Sequence, residues 1–262
     1  MNNFNFVHLG LEDRKYLASF PEVPKTFYGV VSIPDEVTLD DIKLENQSSM
    51  GSCQGHSIST CCERLLNAQG NPIQLSRIYA YLATQQKDGL LGSDSGSTIS
   101  GGLKVALEGI PPESLIPYPS PAAYPDRNRR AEILRQAEAG KPYAAKSAWQ
   151  VPRDPDRIRE FIGGGGAISI GIRWYQGIIP ADRTVRRFSP TRASGGHAVA
   201  LLGYRKDGVF RFMNSHGDGQ FFVTPEALMQ MFNDSFTAAV GVLGSKEAKP
   251  VDWLNNSPLF GK

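Results

Sequence analysis

The stretch Gln47-Ser48-Ser49-Met50-Gly51-Ser52-Cys53 ends a loop with a cysteine, and a helical pattern begins at that cysteine. From Cys53 onward apolar side chains recur at a spacing of about 3.6 residues, and Gly70 ends the run. The members of this apolar face are Ile58, Cys61, Cys62, Leu65 and Leu66. The pattern predicts a helix that starts at Cys53. Because free N–H groups and the positive end of the helix dipole stabilise an anion there, we expect the pKa of the Cys53 thiol to be lowered.

Two glycine-flanked segments far downstream supply a histidine and an asparagine. His197 follows Gly195-Gly196 and opens the apolar run Ala198 to Leu202, and Asn214 begins Asn214-Ser215-His216-Gly217 after the next predicted strand. A hairpin of the two strands would bring these side chains together, so that the asparagine carbonyl accepts from one ring nitrogen and directs the other toward sulfur.

A glutamine completes the pattern. Gln47 lies six residues before Cys53 and carries an amide that can donate to a developing oxyanion, together with the backbone N–H of Cys53. The order glutamine, cysteine, histidine, asparagine therefore indicates hydrolysis through a cysteine nucleophile, with His197 as general base and then general acid.

Alternatives to this assignment remain open. His56 lies three residues after Cys53, so it is a neighbour on the helix and a second candidate base, although no nearby residue orients it. His216 either lines the site, shields the bond between the histidine and the asparagine, or is a bystander. Asp94 and Asp218 lie in glycine-rich loops, where we expect turn chemistry.

The composition limits the classes of protein. The chain has 262 residues, 40% of them hydrophobic and 21% charged, which is typical of a globular protein. The net charge of +2 gives no electrostatic footprint for nucleic acid, and we interpret the arginine clusters at 127–130 and 183–187 as solvated loop charge. Three cysteines, two of them adjacent, argue against a disulfide framework or a CxxC-type metal site, so we expect neither a metal nor a cofactor.

The segment Met1 to Gly10 has neither a basic region nor an apolar region of the kind found in a signal peptide. No segment approaches the roughly 18 consecutive apolar residues of a membrane span. We therefore expect a protein of a reducing compartment, cytoplasmic or associated with a virus particle, that makes no contact with a membrane.

Helical patterns precede strand patterns along the chain, which predicts an α+β fold with two lobes. We divide the chain into an N-terminal extended arm (1–32), a helical left lobe with the nucleophile (33–120), a β-rich right lobe with the histidine and asparagine (121–245), and a C-terminal tail (246–262). Helices are predicted from Cys53, from Ser76, over 103–108, 154–163 and 225–232, and strands over 144–151, 167–175, 197–204, 208–214, 220–224 and 238–243.

Over roughly residues 33 to 243 these motifs resemble the papain-like cysteine peptidase family. Gln47 and Cys53 match the oxyanion glutamine and nucleophile of that family, His197 matches its base, and Asn214 its orienting asparagine, within a motif that reads Asn-Ser-Trp-Gly in the family. The resemblance implies a papain-like two-lobe fold, with a helical left lobe, a β-barrel-like right lobe and the active site in the cleft between them.

The resemblance also suggests where substrate binds. Asp94-Ser95-Gly96 is similar to the glycine edge of the family's cleft, which pairs with substrate backbone, so Ser95 and Gly96 are substrate-binding candidates, with His216 as a third. The chain departs from the family at three positions. Met50 replaces a frequent cysteine, in line with missing disulfides. Gln54 replaces the usual aromatic residue after the nucleophile and His216 the tryptophan, and both of these changes touch the walls of the site. The chain looks most like bacterial or phage members without a propeptide or disulfides.

The leading hypothesis is a cysteine peptidase that hydrolyses peptide bonds through a Cys-His-Asn triad and a glutamine oxyanion hole, with a peptide or protein as its partner. A second hypothesis is a weakly active or inactive papain-fold component of a larger assembly, such as a phage particle, held through the N-terminal arm and the C-terminal tail. A third is an amidase that acts on cell-wall peptides.

Overall fold

The computed structural model describes residues 10–23, 33–139 and 143–244, in which helices pack on both faces of one β-sheet. The helices are α1 Leu11–Ala18, α2 Cys53–Asn67, α3 Arg77–Asp88, α4 Ile99–Glu108, α5 Arg127–Ala139, α6 Pro155–Gly163, α7 Pro225–Asn233 and a short 3-10 helix, Pro190–Arg192. The strands are β1 Ser147–Trp149, β2 Gly166–Trp174, β3 Thr184–Val185, β4 Gly195–Tyr204, β5 Phe210–Met213, β6 Gln220–Val223 and β7 Ala238–Leu243. The prediction of a mixed α+β fold is confirmed.

The sheet has seven strands in the order β1-β7-β2-β4-β5-β6-β3, and every neighbouring pair is antiparallel except β3 with β6. Within the described residues the sheet is open, so the β-rich part of the chain does not form a closed barrel. The two edge strands have three and two residues and pair only with β7 and β6, so they offer too few backbone groups to close the sheet.

Strand β4 lies in the middle of the sheet and is buried on both faces. Its side chains alternate: Ala198, Ala200 and Leu202 belong to the core under α2 and α4, while Val199 and Leu201 belong to the core under α6 and α7. This two-sided burial explains why the sequence reads as a continuous apolar run rather than an alternating one.

Helix α2 begins at Cys53, as predicted, and is buried around nearly its whole circumference. It lies between α3 and α4 on one side and strands β2 and β4 on the other. Gly55 permits the approach of α3, because a Cβ at this position would lie 2.8 Å from both the Arg77 carbonyl oxygen and the Tyr81 amide nitrogen. The first residue of α2 is thereby held against the sheet.

Several predicted helix starts are confirmed by their caps. The side chains of Ser76, Asp154 and Thr224 accept hydrogen bonds from backbone N–H groups in the first turns of α3, α6 and α7. Helix α4 starts at Ile99, four residues earlier than predicted, because Thr98 caps it in the same way. The glycines of its first turn, Gly101 and Gly102, had suggested a loop.

Two further helices were not expected. The predicted extended arm contains α1, and α5 forms where the arginines at 127–130 suggested loop charge. Helix α5 packs through Ile133 and Ala137 against the α3 residues Ile78, Tyr81 and Leu82, so it contacts the helical layer although it follows residue 120. Strand β3 was also missed, and residues 33–46 form only isolated bridges, Val37 with Tyr204 and Asn46 with His216.

Residues 10–23 run across the molecule from the helical layer to the sheet. Asp13 accepts a hydrogen bond from Ser100 in α4, and Arg14 donates to the Ser235 carbonyl at 2.6 Å, just before β7. Gln150 donates to the Phe20 carbonyl at 2.6 Å, next to β1. The remainder of the predicted arm and the predicted tail 246–262 lie outside the described residues.

Candidate active site

Cys53 is the first residue of α2 and has no exposed surface. Backbone N–H groups of Ala198, Gln54 and Cys53 itself face its sulfur. Two of these groups come from the start of α2, where the helix leaves its first N–H groups free. The third comes from the residue after His197, so the packing of α2 on β4 places the thiol beside the strand that carries the histidine.

The pKa of the Cys53 thiol is raised to about 11, mainly because burial penalises the thiolate. The three N–H groups that face the sulfur lower this pKa, whereas the carboxylate of Asp94 raises it further. The sequence-based expectation of a lowered pKa is therefore wrong for this arrangement. The helix start does favour the anion, but the loss of solvent around the sulfur outweighs it.

His197 and Asn214 are joined by a hydrogen bond of 2.8 Å between Nε2 and Oδ1, and both side chains are buried. The antiparallel pairing of β4 with β5 brings them together, since Ala200 pairs with Met213 directly before Asn214. The Asn214 oxygen also accepts from the Ser215 N–H at 3.0 Å. This bonding assigns the ring hydrogen to Nε2, which leaves Nδ1 as the basic nitrogen.

The pKa of His197 is lowered to about 3, because burial disfavours the charged ring and a charge on His216 would repel it. Its bond to Asn214 works in the opposite direction. Burial thus favours the neutral form of both the Cys53 thiol and the His197 imidazole.

A carboxylate lies behind the asparagine. The Nδ2 of Asn214 donates to Oδ1 of Asp218 at 2.8 Å, and Oδ2 of Asp218 lies 3.3 Å from Nη2 of Arg183. Sequence reasoning had assigned Asp218 to turn chemistry alone. The signal available was a carboxylate four residues after the asparagine, but only the loop geometry turns it back toward that side chain.

Two aromatic rings cover His197. The His216 ring is stacked on it, with ring centroids 4.4 Å apart and planes 21° apart. Trp174, the last residue of β2, makes an edge contact with His197 at 4.5 Å and with His216 at 6.1 Å. His216 therefore packs directly on the ring of His197. Trp174 was missed, although it ends a predicted strand and pairs with Gly195 across the sheet.

Gln47 is fully buried and is held at both ends of its amide. Its Nε2 donates to the Met50 carbonyl at 2.9 Å, and its Oε1 accepts from the Ser215 hydroxyl at 2.6 Å. The Tyr118 hydroxyl bonds the Ser52 hydroxyl at 2.7 Å and donates to the Gln47 carbonyl at 3.2 Å. The amide nitrogen carries two hydrogens, and the bond to Met50 uses one of them.

The cleft edge around Ser95 is fixed by Asp94. Its Oδ1 accepts from the Gly51 N–H at 2.8 Å and from the Tyr81 hydroxyl at 2.7 Å, which joins the loop before Cys53 to α3. Asp94 thus does more than shape a turn. Gly96 is buried, and its N–H donates to Tyr81 at 3.1 Å while its carbonyl accepts from Gln85 at 3.1 Å. Ser95 is exposed, so it is the member of the predicted substrate-binding pair with accessible surface.

His56, the competing candidate base, is engaged elsewhere. Its Nδ1 lies 3.1 Å from the Ser52 carbonyl, and its ring makes an edge contact with Tyr118 at 4.9 Å. Burial and the nearby Arg77 charge lower the pKa of His56 to about 3. It is His197, and not His56, that donates a hydrogen bond to an asparagine oxygen.

In the described part of the chain, no group of three or more histidine, cysteine, aspartate or glutamate side chains could hold a metal ion. Cys53, Cys61 and Cys62 are all free thiols. Among the same residues, no helix has both the length and the apolar character needed to cross a membrane.

Comparisons with known proteins identify the fold. No family model matches the chain, and no curated protein matches its sequence. Among solved structures, xylellain, a cysteine protease from Xylella fastidiosa, is similar with 22% identity and a TM-score of 0.70, covering 93% of this chain and 96% of its own.

Two more solved structures share this architecture at lower sequence identity. ProCathepsin B S9 from Trypanosoma congolense has 15% identity and a TM-score of 0.66, over 93% of this chain and 87% of its own. The cysteine protease CMS1MS2 from Carica candamarcensis, solved in complex with E-64, has 19% identity and a TM-score of 0.61, over 81% of this chain and 100% of its own. The chain therefore has the two-lobe fold of papain-like cysteine proteases, here with an open sheet.

Proposed function

We propose that this protein is a cysteine peptidase in which Cys53 is the nucleophile, His197 the base, Asn214 its orienting residue and Gln47 an oxyanion donor. The observation that carries the proposal is the 2.8 Å hydrogen bond between His197 and Asn214. His197 lies on β4, and the backbone N–H of the residue after it, Ala198, faces the Cys53 sulfur. The shared fold with cysteine proteases supports it.

The proposed reaction uses these groups in turn. Nδ1 of His197 takes the thiol proton, and the sulfur of Cys53 attacks the carbonyl carbon of the peptide bond. The oxyanion that forms accepts hydrogen bonds from the Cys53 N–H and the Gln47 amide. The imidazolium then gives its proton to the leaving amine, and a water molecule activated by His197 hydrolyses the thioester.

Burial is the largest cause of both pKa shifts at the site, so the resting site is held in its neutral form. Admission of water or a polar substrate to the cleft restores solvation, which lowers the pKa of Cys53 and raises that of His197. The two values then approach each other, and the proton transfer becomes easier. Asn214 supports the charged ring at that stage, because its carbonyl accepts from Nε2.

A thiol-directed epoxysuccinyl reagent tests the nucleophile directly. Mass spectrometry of the labelled protein should show one adduct, on Cys53, in the wild type and none in Cys53→Ala. His197→Ala should lose most of the labelling, because the base is gone. Cys61→Ala serves as the matched control, since Cys61 is a buried cysteine of the same helix. Equal labelling of Cys53→Ala and wild type would sink the proposal.

A substrate panel then defines the peptide class. Release of fragments from casein by the wild type, and not by Cys53→Ala, supports a protein substrate. Release from cell-wall peptides alone assigns the same chemistry to a wall amidase.

The buried thiol favours one second candidate, a papain-fold component of a larger assembly with little turnover. Complete burial and a raised pKa are the properties of an unreactive cysteine. In that case the N-terminal arm and the C-terminal tail serve as contacts with the assembly. A stable oligomer whose Cys53 does not react with the epoxysuccinyl reagent supports this candidate, whereas a reactive monomer contradicts it.

A further inference from the structure

Asp218 lies directly behind the His197–Asn214 pair, and we propose that it is a positioning residue that orients the Asn214 amide and, through it, the imidazole of His197. The inference rests on the proposed function, since it concerns the same site. It extends the catalytic series by a fourth member, whose carboxylate faces Asn214 rather than His197.

The carboxylate of Asp218 fixes the orientation of the Asn214 side-chain amide. A carboxylate only accepts hydrogen bonds, so Asp218 requires Nδ2 of Asn214 on its side, at 2.8 Å. The Oδ1 of Asn214 is then directed at His197 and at the Ser215 N–H, at 2.8 and 3.0 Å. A reversed amide would set its oxygen against the carboxylate and its N–H groups against two donors. Asp218 therefore selects the orientation in which Asn214 accepts from His197.

The negative charge of Asp218 also acts on His197 through the Asn214 amide. Hydrogen bonds in series polarise one another, so a carboxylate at Nδ2 makes the Asn214 oxygen a better acceptor. When His197 takes the proton of Cys53, the positive ring faces an amide dipole that ends at a negative group. The resulting imidazolium is stabilised, and the thiolate with it.

The loop that contains Asp218 holds its carboxylate in place. Gly217 and Gly219 have φ values of +75° and +78°, a backbone region that favours glycine, and Asp218 lies between them. The Asn214 N–H donates to the Gly219 carbonyl at 3.2 Å and closes the loop. Arg183 holds the second carboxylate oxygen at 3.3 Å, in a pair that is about one-third exposed, at 34% and 36%. Both carboxylate oxygens therefore have assigned partners.

Several other ionisable groups surround this series of bonds. His216 is stacked on His197 and lies within electrostatic range of Asp218, and Arg183 pairs with the Asp218 carboxylate. Across the site are Cys53 and Asp94, and His56 lies on α2 within electrostatic range of His197. Glu45 adjoins the loop through its carbonyl, which accepts from the Gly217 N–H.

The test is the rate of Cys53 alkylation by iodoacetamide as a function of pH, which needs no knowledge of the natural substrate. It compares the full-length wild type with Asp218→Ala, Asp218→Asn and Asp207→Asn, and with His197→Ala. Asp207→Asn makes the same change of charge in the turn at the other end of the β4–β5 hairpin. A melting curve of each variant reports its folding.

We expect Asp218→Ala to slow alkylation at neutral pH by about tenfold or more, by analogy with carboxylates behind metal-bound histidines. Its apparent pKa for alkylation should rise above that of the wild type, because the thiolate loses the support of a stabilised imidazolium. Asp218→Asn keeps an acceptor for Nδ2 without the charge, so its effect should be smaller. Asp207→Asn should match the wild type.

The possible outcomes distinguish the role of Asp218 from the proposed function of the site. If wild-type Cys53 reacts rapidly below pH 8.5 and depends on His197, but Asp218→Ala gives the same pH profile as Asp207→Asn, the role of Asp218 is refuted and the proposed function stands. If the wild type itself shows no reactivity that depends on His197, both are refuted. A purely structural role lowers the melting temperature of Asp218→Ala and leaves the apparent pKa of alkylation unchanged, and this too refutes the inference.

Discussion

At the scale of the residue, Gln47 is held in part by Ser215, which is 168 positions away in the sequence. Its amide oxygen accepts from the Ser215 hydroxyl, and its backbone N–H donates to the Ser215 carbonyl at 2.7 Å. The segment that contains Asn214 therefore also holds the proposed oxyanion donor. The proposed base, its proposed orienting residue and the proposed oxyanion donor are therefore connected through one short loop.

The Gln47 assignment predicts a separation of two reactivities. Gln47→Ala should lower peptide turnover by about 100- to 1,000-fold, the usual loss for one oxyanion donor. Alkylation of Cys53 by iodoacetamide should change little, because no oxyanion forms in that reaction. Both rates are measured on the same preparations. Gln230→Ala is the control, since that glutamine accepts from the Phe188 N–H away from the site, and an equal loss of both rates in Gln47→Ala would contradict the assignment.

At the scale of the element, the packing of α2 against the helical layer sets the position of Cys53, the proposed nucleophile. Cys53 is its first residue, and Gly55, two residues later, lies against the backbone of α3. The α3 atoms that a Cβ would meet belong to the main chain, at 2.8 Å, so they cannot move aside as a flexible side chain can. The position of Cys53 therefore depends on a close contact between two helices.

This contact predicts that Gly55→Ala destabilises the protein, although alanine is the better helix former by about 1 kcal/mol. Overpacking of this kind costs about 1–3 kcal/mol, and we expect the free energy of unfolding in urea to fall by that amount. Gly10→Ala is the matched control, because the nearest atom to its Cβ is 3.6 Å away. A Gly55→Ala variant as stable as wild type would show that α2 and α3 can separate freely.

At the scale of the whole molecule, burial links the stability of the protein to pH. His56 and His197 both have a pKa lowered to about 3, whereas an unfolded histidine has a pKa of about 6.5. Between these values the unfolded chain binds protons that the folded chain does not. The free energy of unfolding should therefore fall on acidification from pH 6.5, by about 1.4 kcal/mol per pH unit for each histidine.

His56→Gln should remove one of these contributions and flatten the dependence by about 1.4 kcal/mol per pH unit. Urea unfolding at a series of pH values from 6.5 to 4.5 measures it, and parallel curves for variant and wild type would contradict the assignment. Glu63 acts with the opposite sign, since burial raises its pKa and the folded chain takes that proton first on acidification. It is present in both proteins, so the difference between the curves isolates His56.

The sequence by itself determined the type of most elements and the order of the candidate site residues. Periodicity and caps act over a few residues, which is why the start of α2 at Cys53 and the strands β2, β4, β5, β6 and β7 were predicted closely. The order of Gln47, Cys53, His197 and Asn214 along the chain was likewise sufficient to nominate them. The prediction missed α5, because most of its residues are charged or polar and few, such as Ile133 and Ala137, pack into the core.

Only the tertiary structure decided the electrostatics of the site and the residues that support it. The helix start predicted a lowered pKa for Cys53, but desolvation depends on everything packed around the sulfur, and it raises that pKa to about 11. Trp174 and Asp218 reach His197 and Asn214 through the sheet register and a loop with two glycines in the left-handed region, neither of which has a local sequence signature. Contacts between residues far apart in the chain are set by packing, and packing is a property of the folded chain as a whole.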